Sequence, residues 1–423
     1  MGFVGGNLMF TWIKNLARDK SANVLMVSAL GATSLVGAAG MGVDTVQWFL
    51  MKRQLQQAVD SGATAGAFAL QYGNSITAPA TNEIDRNFVD SFNVVSIANP
   101  PAQGAYLGDN AAVEVIATTT RTLPFSSMFI ANAPTIQVRS VAATVAGGEH
   151  CVIALAESGT GIYVQGSANV ILGCGAAANS HVASAVDLTG SSLLDANPIS
   201  AVGGIEYADR NIPDDTSLLP YGLPVEDPLA SRNLTPPSSP SGCSHNNYTV
   251  RPNRTETISP GRYCNGLTLK GNVTMDPGVY IIDRGAFDVT SQADVVGEGV
   301  TIVLTGTTTS NIAEIKINGG AELDLRAPTK AEDADWYNIL FFQDPIGADV
   351  DNIINGGSDL TFEGIVYFPN GDVRFNGNAG QHADCLLLVA QRVKFSGDSS
   401  LDNDCSTDYD DVVTTSRIVR VVE

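Results

Sequence analysis

Basic residues are scarce in this 423-residue chain, with 23 Lys and Arg against 44 Asp and Glu, a formal net charge of −21. A surface of that sign repels phosphate backbones and excludes nucleic acid as a natural partner. Charge of either sign is sparse, at 16% of residues, yet the apolar share is 44%, far too high for an acidic disordered chain. No cysteine precedes Cys151, and Cys-x-x-Cys does not occur. The four histidines (His150, His181, His245 and His382) have no paired ligand spacing, which argues against a zinc site. G-x-S-x-G, a Walker loop and H-E-x-x-H are also missing, so the common nucleophile, phosphate and zinc-hydrolase motifs are excluded. Glycine, serine, threonine and asparagine are plentiful instead, and that mixture predicts β-rich extracytoplasmic architecture with many tight turns.

Long uncharged runs are also rare, and one stands out. Asn23 to Val43 is a stretch of 21 residues without a charge. As a helix it is about 31 Å long, against roughly 30 Å for a bilayer core. Lys14, Arg18 and Lys20 precede it and Asp44 closes it. The positive-inside rule then predicts a cytoplasmic N-terminus, with the acidic bulk across a bacterial inner membrane in the periplasm. Residues 61–423 hold 18 basic and 41 acidic groups, which agrees with that division. The competing reading is a cleaved signal peptide, since Gly37 to Gly40 are small. Signal cores run only about 7–15 apolar residues, however, and helical patterning continues past Asp44, so a retained anchor is expected. Leu8 to Leu16 reads as a short interfacial helix within a cytoplasmic segment, residues 1–22.

Beyond the span, Trp48, Met51, Leu55, Val59, Gly62, Gly66 and Leu70 recur at steps of three or four. One amphipathic helix is therefore predicted to run from the anchor to about Leu70. Ala58, Gly62 and Gly66 are spaced four apart, as are Ala38 and Gly42, and small residues at that spacing admit close helix packing. The outer set is expected to pack on the protein's own sheet. For Ala38 and Gly42, a partner helix and mere composition stand level. Residues 44–146 complete a helix plus a small pilin-like α/β module. Its expected elements are a helix over Asn82–Phe92, strands over Ala112–Thr122 and Thr135–Val145, and a helix-like Pro124–Ile130.

From residue 147 to 423 short strand-like pieces alternate with Gly, Asn, Ser and Asp. A motif of apolar residue, polar residue, Gly and polar gap recurs at Val164–Val170, Leu188–Leu194 and Phe395–Leu401. Ser259-Pro260-Gly261-Arg262-Tyr263 is echoed by Asp276-Pro277-Gly278-Val279-Tyr280. Ragged repeats of short strands favour a parallel β-helix over an antiparallel sandwich, because no single coil can bury its own apolar face. The class is thus mainly β: a transmembrane helix (23–43), the small module, and a disulfide-stapled β-helix-like domain. Residues 203–242, with seven prolines, read as a long surface excursion.

The six cysteines (Cys151, Cys174, Cys243, Cys264, Cys385 and Cys405) all follow the span, as disulfides in an oxidising compartment would. Neighbouring pairs, separated by 23, 21 and 20 residues, are the expected bridges, each contributing about 3 kcal/mol. Asp398, Asp402, Asp404 and Asp408, with Asp410 and Asp411 beside them, form the only weak calcium candidate. The run lacks the glycine and distal Glu of an EF-hand loop, so a solvated acidic edge is the expected reading. Asp349, Asp351 and Asp359 are a looser group of the same kind. No cofactor is expected and no catalytic residue can be named.

Several stretches resemble a known family. Ala22-Asn23-Val24, Gly37 to Asp44, Gln54 to Asp60 and Ala65-Gly66-Ala67 are similar to the N-terminal segment of TadG-like proteins of the bacterial tight-adherence (Flp) pilus machinery. Asp44, Lys52, Arg53, Leu55, Gln56, Ala58 and Asp60 match its pattern, while Ala22 stands where Gly is usual. The remainder resembles a β-rich TadG-like branch, through Cys151 to Leu155, Pro260 to Cys264, Pro277 to Tyr280, Ile339 to Asp344 and Tyr367 to Gly371. Other members carry a von Willebrand A metal site, but Ala156-Glu157-Ser158-Gly159-Thr160 lacks that triad and the metal is not carried over. The resemblance implies a non-enzymatic, membrane-anchored periplasmic protein contacting pilus-assembly components. The alternatives are a β-helix that binds or cleaves envelope polysaccharide, and an accessory subunit docking through its membrane helix.

Overall fold

The computed structural model describes residues 20–347, 350–355, 359–377, 380–397, 400–403 and 414–423. These fall into two units, one made of residues up to Thr144 together with Val419–Glu423, the other of Val145–Ile418.

In the first unit α1 (Lys20–Gln71) is one unbroken helix, as the apolar periodicity predicts. From Met51 onward it buries Met51, Leu55, Val59, Ala63 and Ala67 against Val113, Val115, Ala117 and Val138 of the sheet. The sheet is antiparallel, with β1 (Asn93–Ala98) beside β2 (Ala112–Thr120) and β2 beside the start of β3 (Thr135–Ala154). A further edge comes from far downstream: Val141 N–H donates to Glu423 O at 2.8 Å, and Val422 N–H donates to Val141 O at 2.8 Å. Arg139 ties this edge, bonding Glu114 at 2.5 Å and Glu423 at 2.6 Å. The second helix, α2 (Thr77–Asn87), starts earlier than the expected Asn82, because Pro79 falls in its first turn, where a missing N–H is harmless. It ends where Phe88 turns extended. Pro124–Ile130, expected to be helix-like, holds only a single 3₁₀ turn, Ser126–Met128.

The second unit is a parallel β-helix with three rows of strands. One row runs through Gly261–Cys264, Gly278–Asp283, Val300–Thr305, Ile339–Gln343 and Ile365–Phe368. A second includes Ala286–Val289, Glu314–Ile317, Val350–Asn355 and Gly371–Asn376, and a third Asn272–Met275, Asp294–Gly297 and Glu322–Arg326. Inward residues alternate with outward ones and stack into a continuous core that includes Phe287, Phe341, Phe362 and Phe395. Cys151–Cys174 and Cys243–Cys264 are disulfides, two of the three expected pairs, each joining adjacent coils. Cys405, the expected partner of Cys385, lies outside the described residues.

The coils do not stack in chain order. The late strand Gly380–Ser396 pairs with β3 at Leu388 beside Val152 and with Ile162–Val164 at Val393 beside Ile162. Ser400–Asn403 likewise lies beside Asn169–Leu172. The chain therefore enters the β-helix in mid-stack and winds outward to Leu218–Leu219, which pair with Ile199–Ser200. It then crosses to the opposite end at His245–Val250 and winds back to meet its own entry. The crossing segment is the Pro-rich stretch. Its first part, at Ile205–Glu206 and Leu218–Leu219, still belongs to coils, so the expected excursion begins later than Gly203. The remainder is a strap. Val225 N–H donates to Asn179 Oδ1 (2.9 Å), Tyr367 Oη–H to Asp227 Oδ2 (2.7 Å), Arg232 to Tyr337 O (3.1 Å) and Arg262 to Pro237 O (2.8 Å). A strap is needed because the first row is apolar on both faces: Ile281, Val303, Phe342 and Val389 point outward and are buried under Val225, Leu229 and Leu234. Burial, and then the bond to Asp227, push the Tyr367 phenol far above its ordinary pKa.

The recurring Gly motif marks one column of turns. Gly377, Gly397, Gly166 and Gly190 all have φ between 71° and 77°. Each packs on the next: a Cβ on Gly190 would fall 2.9 Å from Gly166 O, and one on Gly397 would fall 2.9 Å from Gly377 Cα. Gly190→Ala should therefore destabilise the β-helix by about 1–2 kcal/mol or more, from the left-handed backbone alone. Gly242→Ala, with nothing within 4 Å, should be near neutral. Denaturant titration of the two variants checks this; equal midpoints would contradict it.

Candidate functional site

Two surfaces bring chemistry together, one in each unit. The first is the N-terminal half of α1. Its helix is long and apolar enough to cross a membrane, with only 11% of the best window buried. Val27, Leu30, Leu35, Val36, Met41 and Val43 are all exposed, Leu35 at 73%. Exposed apolar surface of this extent, on a stretch uncharged from Asn23 to Val43, makes α1 a candidate membrane helix.

One face of that helix is covered by the protein itself. Trp48 Nε1–H donates to Arg121 O at 3.2 Å, and the buried Asp44 carboxylate accepts from Ser126 N–H at 2.5 Å. A Cβ at Gly40 would fall 2.2 Å from Phe125 Cδ1, and one at Gly37 would lie 3.9 Å from Phe129 Cζ. Glycine at position 40 is what lets the Phe125 ring approach. The candidate packing residues divide accordingly. Gly62 abuts Ile84 and Ala80 O of α2, Gly66 meets Val113, and Ala58 is fully buried, so this set is engaged within the unit. Gly42 has nothing within 4 Å and Ala38 is exposed, which leaves that stripe open.

The second surface is a groove of about 290 Å³ on the outer face of the second row, lined by Tyr163, Asp187, Asp372, Arg374, Arg392 and Lys394. Strand pairing builds it: Asp187, Tyr163, Lys394 and Arg374 are cross-strand neighbours in turn. Lys394 lies 5.2 Å over the Tyr163 ring, Arg392 pairs with Asp372 at 3.4 Å, and Arg374 pairs with Asp351 at 2.9 Å. Asp187 Oδ1 is buried without a hydrogen-bond partner. Burial first, and the nearby Glu206 charge second, raise the Asp187 carboxyl above its usual range. A folded state that holds this proton more tightly loses stability as pH rises from about 4 through the raised value. Asp187→Asn should thus raise the unfolding midpoint at neutral pH and leave it unchanged at pH values of about 3. A gain of equal size at both pH values would contradict the assignment.

Among the described residues no group of three or more His, Cys, Asp or Glu side chains is arranged to hold a metal. The calcium candidates Asp398, Asp404 and Asp408 lie outside the described residues, and Asp402 is placed only as part of the strand Ser400–Asn403. Of the looser group, Asp351 is engaged by Arg374 and Asp349 lies outside the described residues. The groove was missed because its members are scattered over Tyr163 to Lys394 and meet only through coil stacking. The cover over α1 had a signal in the apolar run Pro124–Ile130.

Residues 22–69 match the family model described as putative Flp pilus-assembly TadE/G-like. The N-terminal segment is TadE/G-like. No curated protein and no solved structure matches the chain. The TadE/G-like segment coincides with α1 almost from end to end, so it contains both the open apolar half and the half that packs on the sheet. The β-helix lies outside the matched residues.

Proposed function

We propose that this is a non-enzymatic, single-pass protein of the bacterial inner membrane that stands in the periplasm and serves the assembly of a tight-adherence (Flp) pilus. One observation carries the reading: the TadE/G-like match falls on a helix whose first half exposes apolar side chains and whose second half is locked into a folded unit. Lys14, Arg18 and Lys20 before the span, and the acidic residues after it, support a cytoplasmic N-terminus. The two disulfides support an oxidising compartment for the bulk. The open stripe at Ala38 and Gly42 is the surface on which a partner's helix would dock. Purification of the tagged chain in mild detergent, with mass spectrometry of what co-elutes, tests this. Secretion-ATPase, platform or pilin subunits are the expected companions. A stable complex of unrelated composition would overturn the pilus reading in favour of an accessory subunit of another assembly.

The groove favours a second reading, in which the β-helix binds an envelope polysaccharide. Tyr163 offers a ring beside the cations Arg374, Arg392 and Lys394. Cleavage is disfavoured, since Asp372 and Asp351 are each held by an arginine and a glycosidase needs two free carboxylates placed across the sugar. Calorimetric titration with cell-envelope polysaccharide, compared with Tyr163→Ala, distinguishes binding at this groove from none.

A further inference from the structure

We infer that the loop Leu123–Ile130 is a second membrane element, lying in the periplasm-facing leaflet against α1; this rests on the reading of α1 as the membrane span.

Placement is the first argument. The contacts of Phe129 with Gly37, Phe125 with Gly40 and Ser126 with Asp44 set the loop alongside the apolar half of the helix. Gly37 and Asp44 are about 10 Å apart along a helix axis, so the loop tip lies that far inside the end of the span. If the helix crosses a bilayer, the loop shares its depth.

The second argument is composition. Met128 is 78% exposed and Phe129 62%, and Phe125 and Ile130 are exposed too, with no charged residue from Thr122 to Val138. The nearest preceding charge, Arg121, is held by Asp90 at 3.1 Å. These side chains are continuous with the exposed apolar surface of α1, and Phe is among the residues that interfacial membrane elements bury.

The backbone supplies the third argument. Irregular chain is tolerated at membrane depth only where its polar groups are satisfied, and here every N–H from Ser126 to Ile130 is. Pro124 has none to satisfy. Ser126 N–H donates to Asp44, Ser127 N–H to Leu123 O, Met128 N–H to Phe125 O, and Phe129 and Ile130 N–H both to Ser126 O. The two hydroxyls also turn inward, Ser126 to Leu123 O and Ser127 to Pro124 O. Asp44 would then act as the bracket at the membrane boundary, holding the loop on the helix by its first free N–H.

The test uses the full chain in vesicles of phosphatidylethanolamine and phosphatidylglycerol. An environment-sensitive NBD label is placed at Met128→Cys or, separately, at Leu35→Cys, with the parent chain measured for background. Nitroxide lipids quench from a shallow or a deep position. The expected result is a blue-shifted label at position 128 quenched more by the shallow nitroxide, and one at position 35 quenched more by the deep one. Water-like, unquenched emission at position 128 with deep quenching at position 35 would overturn the loop assignment and leave the anchor standing. Absence of quenching at both positions would overturn both. A blue-shifted label at 128 that neither nitroxide reaches would mean a protein surface covers the loop, which also overturns the proposal.

Discussion

Replacing Leu35 and Val36 together by arginine should move the protein from the membrane pellet to the soluble fraction after alkaline carbonate extraction. Both side chains are exposed on α1 and neither belongs to the core of its unit, so the substitutions leave the sheet packing unchanged. Each arginine near the centre of a span costs about 2.5–3.5 kcal/mol in translocon-mediated insertion. Two together cost roughly 6 kcal/mol, which is about four powers of ten in partition. Arg at Leu50, on the same helix but beyond Asp44, should have little effect. Retention of the double variant in the pellet at the parent level would show that the helix is not what holds the protein in the membrane.

The second large effect concerns the β-helix. Phe341→Ala should remove about 3–5 kcal/mol of its stability. The ring is 1% exposed and packs edge-on against Phe287 at 6.0 Å and Phe362 at 5.6 Å, and tilted against Phe368 at 6.5 Å. These neighbours lie on strands that are already hydrogen-bonded in register, so the walls cannot close into the space left behind. Phe341→Leu keeps most of the volume and should lose far less. Denaturant midpoints of the two variants decide the point; similar losses would mean that the coils can slide together after all.

Much of this architecture was legible because single residues betray it. The turn column was visible because only glycine adopts its backbone cheaply, so Gly166, Gly190 and Gly397 had to recur with similar neighbours. The apolar half of α1 was visible because no charge interrupts Asn23 to Val43. The shifted coil order was hidden, since a strand such as Ile162–Val164 stacks equally well on any coil of matching pattern; nothing local says that its neighbour is Val393–Phe395. The strap was hidden for a related reason. A row of outward apolar residues announces that something covers them without saying what. Asp187 looked like any other carboxylate among 44 acidic groups until its neighbours were placed.

The return of Val419–Glu423 to the first unit bears on timing. During synthesis, β3 emerges long before the residues that hydrogen-bond to Val141, with the whole of Val145–Ile418 made in between. Until then one edge of the first unit's sheet is unpaired, and Arg139 has only one of its two carboxylate partners. A chain released early would display that open edge and an unfinished ion triad. The final pairing thus works as a receipt for delivery of the intervening polypeptide, and a protease that recognises loose strands would act on chains that lack it.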